Sequence, residues 1–270
     1  MDCDEEPEMD RWIDDGGSEI SAVVQGGSRG LGLAMVRRLL RAKGVSRVVA
    51  TSREPEESEG LQALGKEHGE RLETVAMDVS EEASIAEAAE QIRGVVDELH
   101  LLINVSGVLH DASRGMSPEK KVDEVQQAHS VYAYQVNALG PLLVAKHLLG
   151  LLEHDRRAVI ANLSARVGSI GDNGLGGWYS YRATKAAQNM MTRTLAIEIG
   201  QYRRRMSAIC VALHPGTVDT QLSRPFQGRV DEDQLFSAEL SAEKLLRVID
   251  GLEEGDTGSF FDYSGAPIEW

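Results

Sequence analysis

With 270 residues and 42% hydrophobic content the chain can bury one large core, and a single domain is expected. Its net charge of −15 excludes a nucleic-acid partner, because binding a polyanion needs Lys and Arg to displace counterions. Two cysteines, Cys3 and Cys210, and seven scattered histidines without HExxH-type pairing give neither a disulfide framework nor a metal-ligand spacing, and no run approaches the about 18 consecutive apolar residues of a membrane-spanning helix.

Residues 1–19 carry nine Asp and Glu against one basic residue, Arg11, so the segment repels itself and has little to bury. A disordered tail over 1–19 and a folded domain over 20–270 are expected. The tail lacks the cationic start and apolar run of a secretory signal, and it is the reverse of an Arg-rich transit peptide. A cytoplasmic location is the expectation.

From there, β-branched apolar runs at 20–25, 47–51, 72–77, 100–105, 158–163, 207–213 and 259–263 predict seven strands. They alternate with helical periods over 31–43, 83–98, 122–152, 181–201 and 242–252, the third with Pro141 expected to kink or break it. Right-handed crossovers then give a doubly wound, seven-stranded parallel sheet with helices on both faces. Two connections stand out. Residues 165–178 hold five glycines between a strand and a helix, and such a loop borders the ligand crevice beyond the strand ends. Residues 216–236, with Pro225, are long for a connection and are expected to be functional or mobile.

The first strand ends in Gln25-Gly26-Gly27-Ser28-Arg29-Gly30-Leu31-Gly32 and runs at once into an amphipathic helix. Glycines at 26, 30 and 32 let the backbone turn tightly and approach a pyrophosphate, whose charge the amides and dipole of the new helix stabilise. Farther on, Tyr181-Arg182-Ala183-Thr184-Lys185 opens a predicted helix, where residues four apart share a face. A Lys185 ammonium near the Tyr181 phenol is expected to lower its pKa from about 10 and prepare it for proton transfer.

Together the Gly26-x-x-x-Gly30-x-Gly32 turn and the Tyr181-x-x-x-Lys185 pair, on this alternation, resemble the short-chain dehydrogenase/reductase family, a Rossmann-type single domain. Further matches cover about 20–263. Asp78-Val79 stands where the family contacts the adenine, Asn104-Val105-Ser106-Gly107 resembles its NNAG element, and Asn137 matches the asparagine of its proton relay. His214-Pro215-Gly216-Thr217-Val218-Asp219-Thr220 resembles the segment at the nicotinamide end. The resemblance thus implies cofactor contacts at Gly26, Ser28, Arg29, Gly30, Leu31, Gly32, Arg53, Asp78, Val79, Asn104, Gly107, Tyr181, Lys185, Pro215, Gly216, Val218 and Thr220. The stretch 162–173 and the ending 265–270 are similar to the C-factor-like and sniffer-like carbonyl reductases.

Three positions depart from the family pattern. Gln25 replaces a Thr and Val105 replaces the second Asn of NNAG, both read as structural changes in the central strands. In the family's N-x-S-S pattern the catalytic serine falls on Ala165. Ser164 is one place early and would need a bulge to face the site, while Ser169 would have to reach it from the loop; a true gap, Ser164 and Ser169 all stay open.

Cofactor choice is read at the end of the second strand. An acidic residue there would bind the ribose hydroxyls of NAD, but the sequence is Thr51-Ser52-Arg53, with Arg29 nearby, so NADP(H) is expected over NAD(H), tempered by Glu54. The expected function is hydride transfer from NADPH to a small aldehyde or ketone, reversible to the alcohol. Tyr181 acts as proton donor, Lys185 and Asn137 support it, Ser164 enters as a candidate, and no metal takes part. Trp178, Leu222 and Phe226 are expected to form a partly apolar substrate wall. His110 and His214 could lie near it. The alternative is a cofactor-binding signalling protein of the same fold with weak or no turnover, motivated by the displaced serine and by the C-factor resemblance. The family also implies a homodimer or homotetramer.

Overall fold

A computed structural model describes residues 19–203, 206–229, 231 and 234–270. All of the expected acidic tail except Glu19 lies outside the described residues. In chain order the elements are β1 (Ile20–Gln25), α1 (Gly30–Arg41), β2 (Val45–Ser52), α2 (Glu59–His68), β3 (Leu72–Ala76), α3 (Glu82–Arg93), β4 (Leu101–Asn104) and α4 (Gln127–Tyr134). There follow α5 (Gly140–Leu148), β5 (Ala158–Leu163), α6 (Tyr179–Tyr202), β6 (Ala208–His214), β7 (Thr217–Val218), β8 (Leu235–Phe236), α7 (Ala238–Asp250) and β9 (Phe260–Asp262).

Seven strands form one parallel sheet in the order β3-β2-β1-β4-β5-β6-β9, as the alternation predicts. Side chains alternate across it. Val24, Val48 and Val159 enter the core beneath α1, α2 and α7, whereas Val23, Val49 and Ile160 enter the core beneath α3, α5 and α6. The chain order reverses between β1 and β4, and the crevice beyond their carboxyl ends is where such sheets bind ligands.

Besides the short parallel pair β7 and β8, which lies within the connection expected over 216–236, two regions differ from the sequence expectation. α2 was not predicted, since only Leu61 and Leu64 of its ten residues are buried and its apolar period is weak; Ser58 caps it, accepting from the Leu61 N–H, and donates to the Ser28 carbonyl at 2.6 Å. The region 122–152 begins its helix only at Gln127, and Pro141 does not break it. A π turn over Gln135–Leu139 leads into α5, with the Gly140 N–H reaching the Gln135 carbonyl five residues back, and it absorbs the irregularity that proline imposes. By length and mean hydropathy the run Gln127–Leu152 is apolar enough to cross a membrane, although polar residues interrupt it as the sequence shows. More than half of its most apolar window is nonetheless buried, and it packs on α3 and α6 as a core helix.

Candidate active site

The glycine turn at the end of β1 is built by close approach. Gly26 takes φ +86°, and a Cβ there would lie 2.5 Å from the Ser106 Oγ; a Cβ on Gly32 would meet the Gly26 carbonyl oxygen at 2.0 Å. Only glycine fits either position. Gln25 explains itself beside them: its Nε2 donates to the Ser106 Oγ at 2.6 Å and its Oε1 accepts the Ser106 N–H at 3.2 Å, clamping the turn to the loop after β4. The structural reading of Gln25 is therefore the observed one. Thr220, after β7, sets its methyl against Gly30, and Arg29 donates to the Gln221 Oε1 at 2.9 Å, so the segment after β6 crosses the turn.

Asn104 has a structural role. Its Nδ2 donates to the Asn162 Oδ1 at 2.8 Å, and the Asn162 Nδ2 passes on to the Thr192 Oγ1 at 2.9 Å, a buried amide chain joining β4, β5 and α6. The amide nitrogen of Asn104 is thus spent on Asn162, while its buried Oδ1 has no hydrogen-bond partner among the described residues. Asp78 accepts from the Ser80 N–H and hydroxyl at 2.9 and 2.7 Å, while the buried Val79 lies at the start of α5 with Gly140 packed on its carbonyl. Pro215 is fixed through its carbonyl, which accepts the Ser241 hydroxyl at 2.8 Å.

Tyr181 and Lys185 occupy the first turns of α6, both buried. The Lys185 Nζ donates to the Leu163 carbonyl at 2.7 Å and to the Gln188 Oε1 at 2.9 Å, and it lies 5.9 Å from the centre of the Tyr181 ring. Asn137, on the π turn, accepts the Val108 N–H at 2.7 Å and donates to the Val108 carbonyl at 2.8 Å and the Thr184 hydroxyl at 3.1 Å. Gly107 brings the two together: a Cβ there would stand 3.4 Å from the Asn137 Oδ1 and 3.7 Å from the Lys185 Nζ. The three expected catalytic residues thus share one buried corner.

Electrostatics correct one expectation. Burial pushes the Tyr181 phenol up to about 12 and the Lys185 ammonium down to about 7. Sequence spacing implied the opposite direction for Tyr181. The phenolate lacks water to solvate it, and the lysine hydrogen-bonds to Leu163 and Gln188.

Geometry bears on the serine question chiefly through Ser164. Ser164 is buried, with its hydroxyl donating to the Asn189 Oδ1 at 2.6 Å, eight residues along α6 from Tyr181, a rise of about 12 Å. Ser164 therefore does not join the Tyr181 corner. Ser169 is buried also, and its Oγ accepts the Asp172 N–H at 3.1 Å within the glycine-rich loop. Ala165 remains extended, with φ −148° and ψ 144°, and no bulge turns its neighbour inward.

That loop borders the site as expected: a Cβ on Gly168 would lie 2.7 Å from the Lys185 Cβ. Three features were not foreseen. Arg182 ties the loop to α6 through the carbonyls of Val167, Gly176 and Gly177 at 3.0–3.3 Å. Glu119 is buried and holds the start of α6, its carboxylate accepting the Ser180 N–H at 3.2 Å and the Ser180 hydroxyl, its carbonyl accepting the Trp178 N–H at 2.5 Å. Gln188 could have been found from its place one turn beyond Lys185; Glu119 sits in a loop with no period to mark it.

A model of short chain dehydrogenases matches residues 21–230. The chain belongs to this family. Among solved members, the NADPH-bound carbonyl reductase from chicken fatty liver is 30% identical, with a TM-score of 0.82 over 94% of this chain and 95% of that one. The carbonyl reductase Sniffer of Drosophila melanogaster is 26% identical, with a TM-score of 0.80 over 94% of this chain and all (100%) of the other. The C-signal of Myxococcus xanthus is 36% identical over 147 residues, 54% of this chain and 82% of that protein. The resemblance to C-factor-like and sniffer-like members is thereby shown.

The residues of this short-chain dehydrogenase fit a dinucleotide. The turn at 26–32 is a backbone cradle that side chains would fill, Arg29 and Arg53 are exposed beside it, and the Ser52 Oγ at the end of β2 is buried without a hydrogen-bond partner. His214, at the end of β6, is held near a pKa of about 4, first by burial and then by Arg166. His110 is half-exposed, bonded to the Gln221 carbonyl at 3.1 Å.

A second group of titratable residues lies at the opposite, amino end of the sheet. Glu98, His100 and His154 bring their ligand atoms within 4.8 Å of one another. The His100 Nδ1 accepts the Ser21 N–H at 3.2 Å, so its proton sits on Nε2, and the His154 Nε2 donates to the Leu99 carbonyl at 2.9 Å, leaving a lone pair on Nδ1. The two rings therefore offer a donor and an acceptor, not the two lone pairs a cation requires, and Arg156 stands 3.6 Å from Glu98.

Proposed function

We propose that this oxidoreductase reduces a small aldehyde or ketone with NADPH, Tyr181 donating the proton. The observation that carries this reading is the corner of Tyr181, Lys185 and Asn137 around Gly107, with the phenol pushed up to about 12. A protonated phenol is the donor that carbonyl reduction requires.

Gly26, Gly30, Gly32 and the amides of α1 would hold the pyrophosphate, Arg29, Ser52 and Arg53 the adenosine phosphate, and Lys185 the nicotinamide ribose. The bound nicotinamide supplies a hydride to the carbonyl carbon. Tyr181 gives its proton to the carbonyl oxygen as negative charge develops there. Lys185, near a pKa of about 7, can replace that proton at neutral pH. Asn137 would serve the relay from the π turn beside Lys185, holding a water that leads protons toward the ammonium. Its side chain, fully engaged with Val108 and Thr184, holds that turn in place.

The test is NADPH consumption with a panel of aldehydes and ketones, comparing the natural chain with Tyr181→Phe. The variant should bind NADPH normally and lose about 10²-fold or more of turnover; unchanged turnover would overturn the mechanism. The alternative, a cofactor-binding signalling protein, is favoured by Ala165 and the similarity to C-signal. NADPH binding without turnover of any carbonyl supports it. Association into dimers or tetramers through α4, α5 and α6, where Val131, Tyr134 and Met190 are exposed, is part of the same proposal and is checked by light scattering.

A further inference from the structure

Trp178 precedes α6 at φ +52° and ψ 45°, the one non-glycine residue with positive φ among the described residues. Bulky L residues rarely adopt this region. Gly176 and Gly177, just before it, take φ +64° and +66°, so a third glycine would follow the same path without strain. A tryptophan held there by the Glu119 carbonyl indicates that the position requires the ring.

The indole packs edge-on against Tyr181, with centroids 6.2 Å apart and planes at 77°, and against Phe226, at 5.1 Å and 61°. Phe226 in turn meets His110 at 5.9 Å. Trp178, Phe226 and His110 are half-exposed, whereas Tyr181 is buried behind them. Two neighbouring cations are already engaged: Arg182 with loop carbonyls, and Arg166 with Asp172 and Asp262, each at 3.4 Å. Neither is aimed at a substrate carboxylate. With alanine at 165, polar attachment of the substrate is also poorer, so affinity must come from apolar contact.

We infer that Trp178 is the specificity-determining residue of the substrate mouth, and that with Phe226 it selects an uncharged carbonyl compound bearing a flat aromatic ring. This rests on the reductase reading above. The ring of the substrate would lie in the angle between indole and phenyl, its carbonyl directed to Tyr181.

The test measures binding apart from turnover, titrating the NADPH-loaded full chain with product-like alcohols, two of them uncharged and of equal carbon number. Benzyl alcohol should bind about tenfold more tightly than cyclohexylmethanol, although the saturated ring is the more apolar, and 4-carboxybenzyl alcohol should bind about tenfold more weakly than benzyl alcohol. Trp178→Leu should erase the preference for the flat ring and Trp178→Phe should keep most of it. Phe226→Leu, away from α6, should reduce it even where the Trp178 variants disturb the helix. Equal binding of the two uncharged alcohols to the natural chain, or a preference that survives both leucine variants, would overturn the inference. A preserved preference with no reduction of benzaldehyde would instead remove the reductase reading and leave this one standing.

Discussion

The hydroxyl of Ser164 is bonded to the Oδ1 of Asn189 at 2.6 Å, deep between β5 and α6 and two turns away from Tyr181. The hydroxyl one place before the position where the serine pattern puts its catalytic residue is therefore used to fasten the sheet to a helix.

Variants at the three positions should separate accordingly. Ser164→Ala should cost about 1 kcal/mol of stability through the lost hydrogen bond and leave kcat nearly unchanged. Ala165→Ser adds a donor where none exists, and such a donor is worth roughly 2.7–4 kcal/mol in the transition state when preorganised, so kcat should rise. Ser169→Ala should loosen the loop at Asp172 with little change in kcat. Steady-state kinetics and thermal melts of all three check this; a large kcat loss confined to Ser164→Ala or Ser169→Ala would show that the alanine is compensated.

Arg29 and Arg53 should set coenzyme preference. Arg53 is exposed at the end of β2, close to the unpartnered Ser52 Oγ, and Arg29 has only the exposed Gln221 as its observed partner. An adenosine 2′-phosphate would give both guanidiniums a charge-assisted partner. Arg53→Ala should weaken NADPH by about 1.5–3 kcal/mol and NADH far less. Equal losses for the two coenzymes in calorimetric titrations would refute the assignment.

Much of this was legible because it depends on local pattern. The runs that became β1 and β5 are continuous apolar or β-branched segments bounded by turns, and their observed limits are the predicted ones. Tyr181, Lys185 and Asn137 were legible through spacing and motif. What escaped depends on three dimensions. Nothing local distinguishes a proline that breaks a helix from Pro141, which follows a π turn. Glu119 acts on Ser180 across 61 positions of sequence. The direction of the Tyr181 shift was misread because spacing reports a neighbour, Lys185, but not the burial that outweighs it.

Acid should destabilise the fold through His100 and His214. Burial, with Arg156 and His154 beside the first and Arg166 beside the second, holds each near a pKa of about 4, against about 6.5 unfolded. The unfolded chain takes up protons first, so this stability is present above about pH 6.5 and lost as pH falls through 4, up to about 3 kcal/mol per histidine. Urea unfolding between pH 7 and 4 should show the loss. His100→Gln and His214→Gln should each flatten the slope; slopes that match the natural chain would reject the assignment.

Lys185 should exchange stability for activity. Its ammonium is buried against a carbonyl and an amide oxygen with no carboxylate among its observed partners, and burial lowers its pKa from 10.5 to about 7. Between those values the unfolded state binds more protons, so the penalty is fully present below about pH 7 and fades as pH rises toward 10.5. Lys185→Met keeps the length and apolar stem and removes the charge, but it leaves the Leu163 carbonyl and the Gln188 Oε1 without their donor. Relief of desolvation is the larger effect, and a net gain of about 0.5–2 kcal/mol is expected, of the size seen when strained functional positions are replaced. The gain should be greatest at or below pH 7 and shrink by pH 10, while carbonyl reduction falls steeply because the proton on Tyr181 is no longer replaced. Thermal melts across this range, paired with turnover, decide it: a variant less stable than the natural chain at pH 7 would show that the two hydrogen bonds outweigh the buried charge.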